Sequence, residues 1–275
     1  MKSLLLACLM GLALAVGRDT MYIAFCHDMT HAAVDFAAQH NIGKIFLTQA
    51  VLTYNTTEAI EEFTTYATSK DVEVHFWLYV FHTTADGWVN PIDTSTQTYK
   101  TSLFNEIIAR GKKGAALKNI KGIHMDYVRY PGTAYKYNYG DVTGVNAVST
   151  FVKQAAEAFH ALPGNLTVSA AIMPEKSDGI KYYGQDVTVL GKYVDVLAPM
   201  AYKGNYNSNT AWIVSTCQWY VSKGAPAETW CILQSYKSDD DPTPLSASAM
   251  QADVDACING GIPAVGFFRY GLLKL

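Results

Sequence analysis

Short runs rich in β-branched and aromatic residues recur along the chain at 21–26, 44–50, 72–81, 122–130, 166–173, 194–200, 229–236 and 264–270. These eight runs are predicted strands. Between them, at about 30–40, 57–70, 97–117, 144–162, 182–191, 210–222 and 246–260, apolar residues recur every three to four positions. Val152, Ala155, Ala156 and Phe159 mark one such helical face. Strands that are apolar almost throughout, each followed by a helix, imply a parallel sheet covered by helices. Eight repeats make the expected fold class α/β, a closed (β/α)8 TIM barrel. An open doubly wound sheet competes, but Phe25-Cys26-His27-Asp28 stands where its nucleotide-binding glycines would be. Only residues 271–275 follow the eighth run, so the last helix is expected to be lacking or shortened. The N-terminal segment or a partner would cover the gap, or the barrel is a shortened one.

A hydrophobic fraction of 49% over 275 residues suffices for a full core. Acids outnumber bases 24 to 21 and no Lys/Arg stripe forms, so nucleic acid is not an expected partner. The opening MKSLLLACLMGLALAVG pairs one lysine with an apolar stretch too short to span a bilayer, then small residues. It reads as a signal peptide, residues 1–17, cut after Ala15 or Gly17. Residues 18–275 are then one secreted barrel domain, and no later run is a membrane helix. Four cysteines remain after cleavage: Cys26, Cys217, Cys231 and Cys257. Three complete pairings are open to them, and Cys217–Cys257, on consecutive predicted helices, is the expected bridge. Zinc-type spacing is missing, so neither metal nor cofactor is expected.

The segment from Lys121 to Gly132, KGIHMDYVRYPG, carries the densest chemistry. A period of two sends His124, Asp126 and Val128 to one face and Ile123, Met125 and Tyr127 to the other. Asp126, close to the stop at Pro131-Gly132, is then a carboxylate at the mouth of an apolar strand. In this fold the site lies at the C-terminal ends of the strands. Those ends bring His27, Trp77, Tyr79, Arg129, Tyr130, Met200, Tyr202, Gln234, Tyr236 and Arg269 to one address as candidate substrate-binding residues. Amides, arginines and aromatic rings suit sugar hydroxyls and pyranose faces. Glycosidic cleavage calls for two carboxylates, and Asp126 with Glu175, from consecutive strands, is the candidate catalytic pair. Asp186 reads as an acid at a helix N-terminus. The run Asp239-Asp240-Asp241 reads as a solvated mouth loop, because it lacks calcium-loop spacing.

The hexapeptide Asp126-Tyr127-Val128-Arg129-Tyr130-Pro131 resembles the D-Y-[VI]-R-[FY]-P signature of glycoside-hydrolase-like (β/α)8 domains, distant relatives of family 18 chitinase-type barrels. Tyr183-Gly184-Gln185-Asp186, the segment from Val194 to Tyr202, and Gly266-Phe267-Phe268-Arg269-Tyr270-Gly271 resemble the same group in the same order. Many such domains are secreted or surface proteins that sit beside cell-wall-binding modules. The resemblance implies a secreted glycoside hydrolase acting on a cell-wall or other structural polysaccharide. One departure qualifies it: aligned on Asp126, Val128 stands where the chitinase proton donor, a glutamate, would be. The same barrel as a non-catalytic glycan-binding or adhesin-like domain is the alternative.

Overall fold

The structure is a computed structural model describing residues 19–275, so the expected signal peptide lies outside the described residues. Eight parallel strands close into one barrel: β1 (Asp19–Ile23), β2 (Ile42–Thr48), β3 (Glu73–Tyr79), β4 (Ile120–Asp126), β5 (Thr167–Ile172), β6 (Val196–Ala201), β7 (Glu228–Gln234) and β8 (Ala264–Phe268). Each pairs with its sequence neighbours, and β1 meets β8 through Thr20 opposite Gly266 and Met21 opposite Phe267. Besides a single helical turn at Val51–Tyr54, the α-helices are α1 (His31–Gln39), α2 (Thr57–Ser69), α3 (Thr101–Ala115), α4 (Gly144–His160), α5 (Asp178–Tyr183), α6 (Val187–Leu190), α7 (Thr210–Lys223) and α8 (Ala247–Asn259). This is the (β/α)8 barrel that the hydrophobic pattern predicts.

Strand alternation divides the apolar interior into two layers. Val74, Phe76 and Leu78 of β3, with Ile123 and Met125 of β4, face the helices in a large outer core. Tyr22, Phe46, Trp77, Trp230 and Ile232 point inward and fill the barrel. Helix α3 sits close against the sheet and against α4, since a Cβ at Gly114 would lie 2.3 Å from the Phe76 ring of β3 and one at Gly111 would lie 2.5 Å from Phe159 of α4. Larger residues there would push the helix off the barrel.

Several expected boundaries move, each for a local reason. Helix α3 begins at Thr101 instead of 97, because Asp93 Oδ1 accepts hydrogen bonds from Ser95 N, Ser95 Oγ and Thr96 N. That turn joins two short antiparallel strands, Ile92–Asp93 and Thr98–Tyr99. The helix expected at 182–191 splits into α5 and α6 at Gly184, whose φ is +76°. Asp186 caps α6 by accepting from Thr188 N at 3.0 Å, as its position predicted. After β8 the described residues are not helical; Leu273 and Leu275 pack on the outer core and Tyr270 N donates to Tyr22 O at 3.0 Å.

The bridge expected between Cys217 and Cys257 is replaced by Cys217–Cys231, with Cα atoms 5.9 Å apart. Cys231 faces outward from β7 into the layer where α7 carries Cys217, so the helix meets its strand at this point. Cys257 is free and buried in α8, and burial pushes its thiol up to about 12.

Candidate active site

Strand β4 ends at Asp126, four residues before the predicted end at 130, and the cause lies in the next residue. Tyr127 adopts φ +54°, a left-handed conformation unusual for a bulky side chain. Its amide donates back to Asp126 Oδ1 at 2.6 Å, while Trp77 Nε1 donates to Asp126 Oδ2 at 3.0 Å. Both oxygens of Asp126 are thereby held at the barrel mouth. The residue is only 8% exposed, and burial raises its carboxyl above the ordinary range against the Tyr127 amide, Arg129, Trp77 and His82. Tyr127 also breaks the period of two: Val128 joins the outer core and does not share Asp126's face. The Tyr127 ring, expected to point outward, instead stacks on His82 at 4.7 Å and meets Tyr79 and Trp88 edge-on.

Arg129 lies over the rings of Trp88 at 4.5 Å, Tyr183 at 5.4 Å and Tyr127 at 5.9 Å. Burial lowers the pKa of its guanidinium, opposed by the fields of Asp126, Tyr183, Tyr127 and Glu175. Both candidate carboxylates thus act electrostatically on one arginine. Glu175, just past β5, accepts from Tyr183 Oη at 2.9 Å and Tyr206 Oη at 2.5 Å on the same oxygen. Its other oxygen, Oε2, is buried without a hydrogen-bond partner.

A cavity of about 330 Å³ opens beside these groups, lined by Arg129, Met173, Pro174, Met200, Tyr202, Asn205, Tyr206 and Asp239. Arg129, Met200 and Tyr202 are thus brought together as predicted. Asp126 and Glu175 do not line it; Glu175 bonds to Tyr206 of its wall, and Asp126 and Glu175 both act on its Arg129. Gln234 is 2% exposed and acts indirectly, donating from Nε2 to Asn205 Oδ1 at 2.9 Å. Asn205 Nδ2 and Tyr236 Oη then each donate to one oxygen of Asp239, at 2.7 and 2.8 Å. The loop bearing Asn205 and Tyr206 is anchored where Lys203 Nζ meets both carboxylate oxygens of buried Asp253. Asp239 is exposed on its mouth loop and also lines the pocket. Its loop was legible from sequence, but its partners, Asn205 after β6 and Tyr236 after β7, were not.

The remaining predicted residues separate into three groups. Trp77 is buried beneath Asp126, and Tyr79 bonds through Oη to Thr48 Oγ1 at 3.0 Å. His27 and Arg269 are held apart from the cavity, the first stacked on Phe25 at 5.3 Å and the second over the same ring at 4.4 Å. Tyr130 turns outward into the helix-facing core, donates to Asn90 Oδ1 at 3.1 Å and stacks on Tyr137. It follows the left-handed residue, so the strand alternation that placed it at the mouth no longer applies. Among the described residues no group of three or more His, Cys, Asp or Glu side chains gathers as a metal site.

Similar folds occur in the glycoside hydrolase domain of PgaB (BpsB) from Bordetella bronchiseptica, with TM-score 0.68 and 11% identity over 92% of this chain and 94% of that one. A class V chitinase from Pseudomonas fluorescens Pf-5 gives 0.64 and 15%, covering 93% and 96% of the two chains. The spore cortex-lytic enzyme SleL of Bacillus megaterium QM B1551 gives 0.60 and 14%, covering 93% and 71%. At these identities the likeness establishes the barrel. No curated protein matches the sequence significantly. Residues 75–220, which contain the Asp126 signature, Glu175 and most of the cavity wall, match a family profile over more than half of the chain. The chain belongs to the family described as "Putative glycosyl hydrolase domain".

Proposed function

We propose that the protein is a secreted glycoside hydrolase that cleaves a cell-wall or other structural polysaccharide, with Asp126 and Glu175 as its catalytic carboxylates. One observation carries the reading: Asp126 is a buried carboxyl held by both oxygens at the barrel mouth, and a second carboxylate, Glu175, is bonded to Tyr206 of the cavity wall. A carboxyl with a raised pKa keeps its proton longer and suits donation to a leaving glycosidic oxygen. Glu175 then stabilises the developing positive charge at the anomeric carbon or activates water, and Arg129 sets the field between them. Met200, Tyr202 and Tyr206 offer the surface for a sugar ring, while Asp239 and Asn205 bind hydroxyls. The chitinase-type glutamate at the Val128 alignment is not required for this arrangement.

The test is release of reducing ends from cell-wall polysaccharides by the secreted protein, with Asp126→Asn and Glu175→Gln alongside. Asp126→Asn should be inactive, and Glu175→Gln should lose about 100-fold or more. The alternative of a glycan-binding barrel is favoured by one feature, the two tyrosine hydroxyls committed to Glu175 Oε1. Unchanged rates in both variants would move catalysis to other residues, and binding without cleavage of any polysaccharide would replace the enzyme with the binding module.

A further inference from the structure

A second concavity, about 680 Å³ in volume, lies beyond Tyr79 on the flank of the same mouth. It falls within the size range of small-ligand sites, about 300–1,000 Å³. Its walls come from the segment after β2 (Gln49, Thr53, Tyr54), the hairpin after β3 (Thr83, Thr84) and helix α3 (Arg110, Lys113). Two cations line it and no acid does. Lys113 is exposed and makes no hydrogen bond or ion pair among the described residues. Arg110 NH2 donates to Tyr79 O at 2.9 Å and NH1 approaches exposed Glu106 at 3.5 Å, but its Nε is buried without a partner. Asp86, on the same hairpin, is turned into that hairpin by Thr83 Oγ1 at 3.1 Å. Tyr54, 77% exposed, presents an aromatic face with nothing stacked on it.

One wall of the concavity belongs to the aromatic cluster around Asp126. Tyr79 lines it, and the same ring meets Trp77 at 5.3 Å and Tyr127 at 5.5 Å. The hairpin is a shared ridge: Thr83 and Thr84 face the concavity, while His82 stacks on Tyr127 and Trp88 lies under Arg129. We infer that this flank is a remote glycan subsite that selects a saccharide unit bearing an anionic group, carboxylate or phosphate, in a chain that continues to Asp126. The inference rests on the glycan-directed reading of the mouth and adds the charge class of its ligand. Arginine and lysine supply charge-assisted donors, Thr53 and Thr84 pair with hydroxyls, and Tyr54 stacks on a ring.

The test is calorimetric binding to the full chain carrying Asp126→Asn, which separates binding from turnover. The probes are an oligogalacturonate, a glycerol-phosphate oligomer and a neutral cello-oligosaccharide of matched length. An anionic probe should bind more tightly than the neutral one and weaken with salt. Lys113→Glu should lose about tenfold in affinity for it, the loss expected for one charge-assisted contact. Lys223→Glu, the same charge change on distant α7, should not. Whichever anionic probe binds more tightly identifies the group as carboxylate or phosphate. Binding of neither, equal binding of the neutral probe, or equal losses in the two lysine variants would overturn the subsite. Because no turnover is needed, failure here leaves hydrolysis standing, and failure of every glycan to be hydrolysed leaves this result standing.

Discussion

Inside the barrel, aromatic rings pack with polar groups; between barrel and helices, aliphatic side chains and phenylalanines pack with one another. The inner layer joins Tyr22, Phe46, Trp77 and Trp230 to buried His75, His124 and Ser169. Tyr22 Oη bonds His124 Nε2 at 2.9 Å, and His124 Nδ1 bonds Ser169 Oγ at 2.8 Å. Burial drives the His124 pKa well below its ordinary value, so the imidazole is neutral, with one nitrogen donating and the other accepting. The His124 ring also lies flat on Phe46 at 4.1 Å. Among the described residues, buried polar side chains of the outer layer bond mainly to backbone, as Gln185 Nε2 does to Val128 O and Ala171 O. That layer is built for burial, whereas the inner layer is a polar column that ends upward in Asp126 at the mouth.

If that contrast is right, substitutions in the two layers should fail differently. Asp126→Asn should have the largest effect on turnover, a loss of about 1,000-fold, within the usual span for removing a general acid or base. At neutral pH the relief of a buried charge should offset the one hydrogen bond lost where the amide nitrogen faces the Trp77 or Tyr127 N–H. The folded pKa of Asp126 is raised above its ordinary value of 3.8, so its contribution to stability is fully present below that value and is lost as pH rises through the folded pKa. Asparagine avoids this loss, and melting curves at about pH 4 and about pH 7 should show the variant gaining on wild type at the higher pH. A lower melting temperature for the variant at both would assign Asp126 to structure. By the same sign, activity that depends on protonated Asp126 should fall as pH rises through its folded pKa.

Phe159→Ala, in the outer layer against Gly111, should cost about 3–5 kcal/mol in denaturant unfolding. The surviving folded fraction should keep its rate per molecule; a lost rate without lost stability would contradict the division. Cys217→Ser with Cys231→Ser should cost about 3 kcal/mol, the chain-entropy value for a loop of this length. The check is the shift in denaturation midpoint relative to Cys257→Ser, which should keep the bridge. Tyr22→Phe should have the smallest effect, about 1–2 kcal/mol, because it leaves buried His124 Nε2 without its partner. Denaturant unfolding that is unchanged in Tyr22→Phe would mean the polar column adds nothing to stability.

Sequence alone determined the eight strands, their parallel order and the helix-facing core, because hydrophobic period is a local property that repeats along the chain. It also brought Asp126, Arg129, Met200 and Tyr202 to one mouth, since in a parallel barrel every strand end shares an address. Tertiary structure decided the rest. The left-handed turn at Tyr127 takes Val128 and Tyr130 off the mouth face, and the amide-to-Asp126 bond that accompanies it is not encoded in any spacing. Glu175 depends on Tyr206 from the loop after β6, and Asp239 on Asn205 and Tyr236. Cys217 finds Cys231 because a helix packs on a strand, a contact that the pattern implies without fixing its register. Faces and ends follow from local periodicity, whereas hydrogen-bond partners from different strands meet only when the barrel closes.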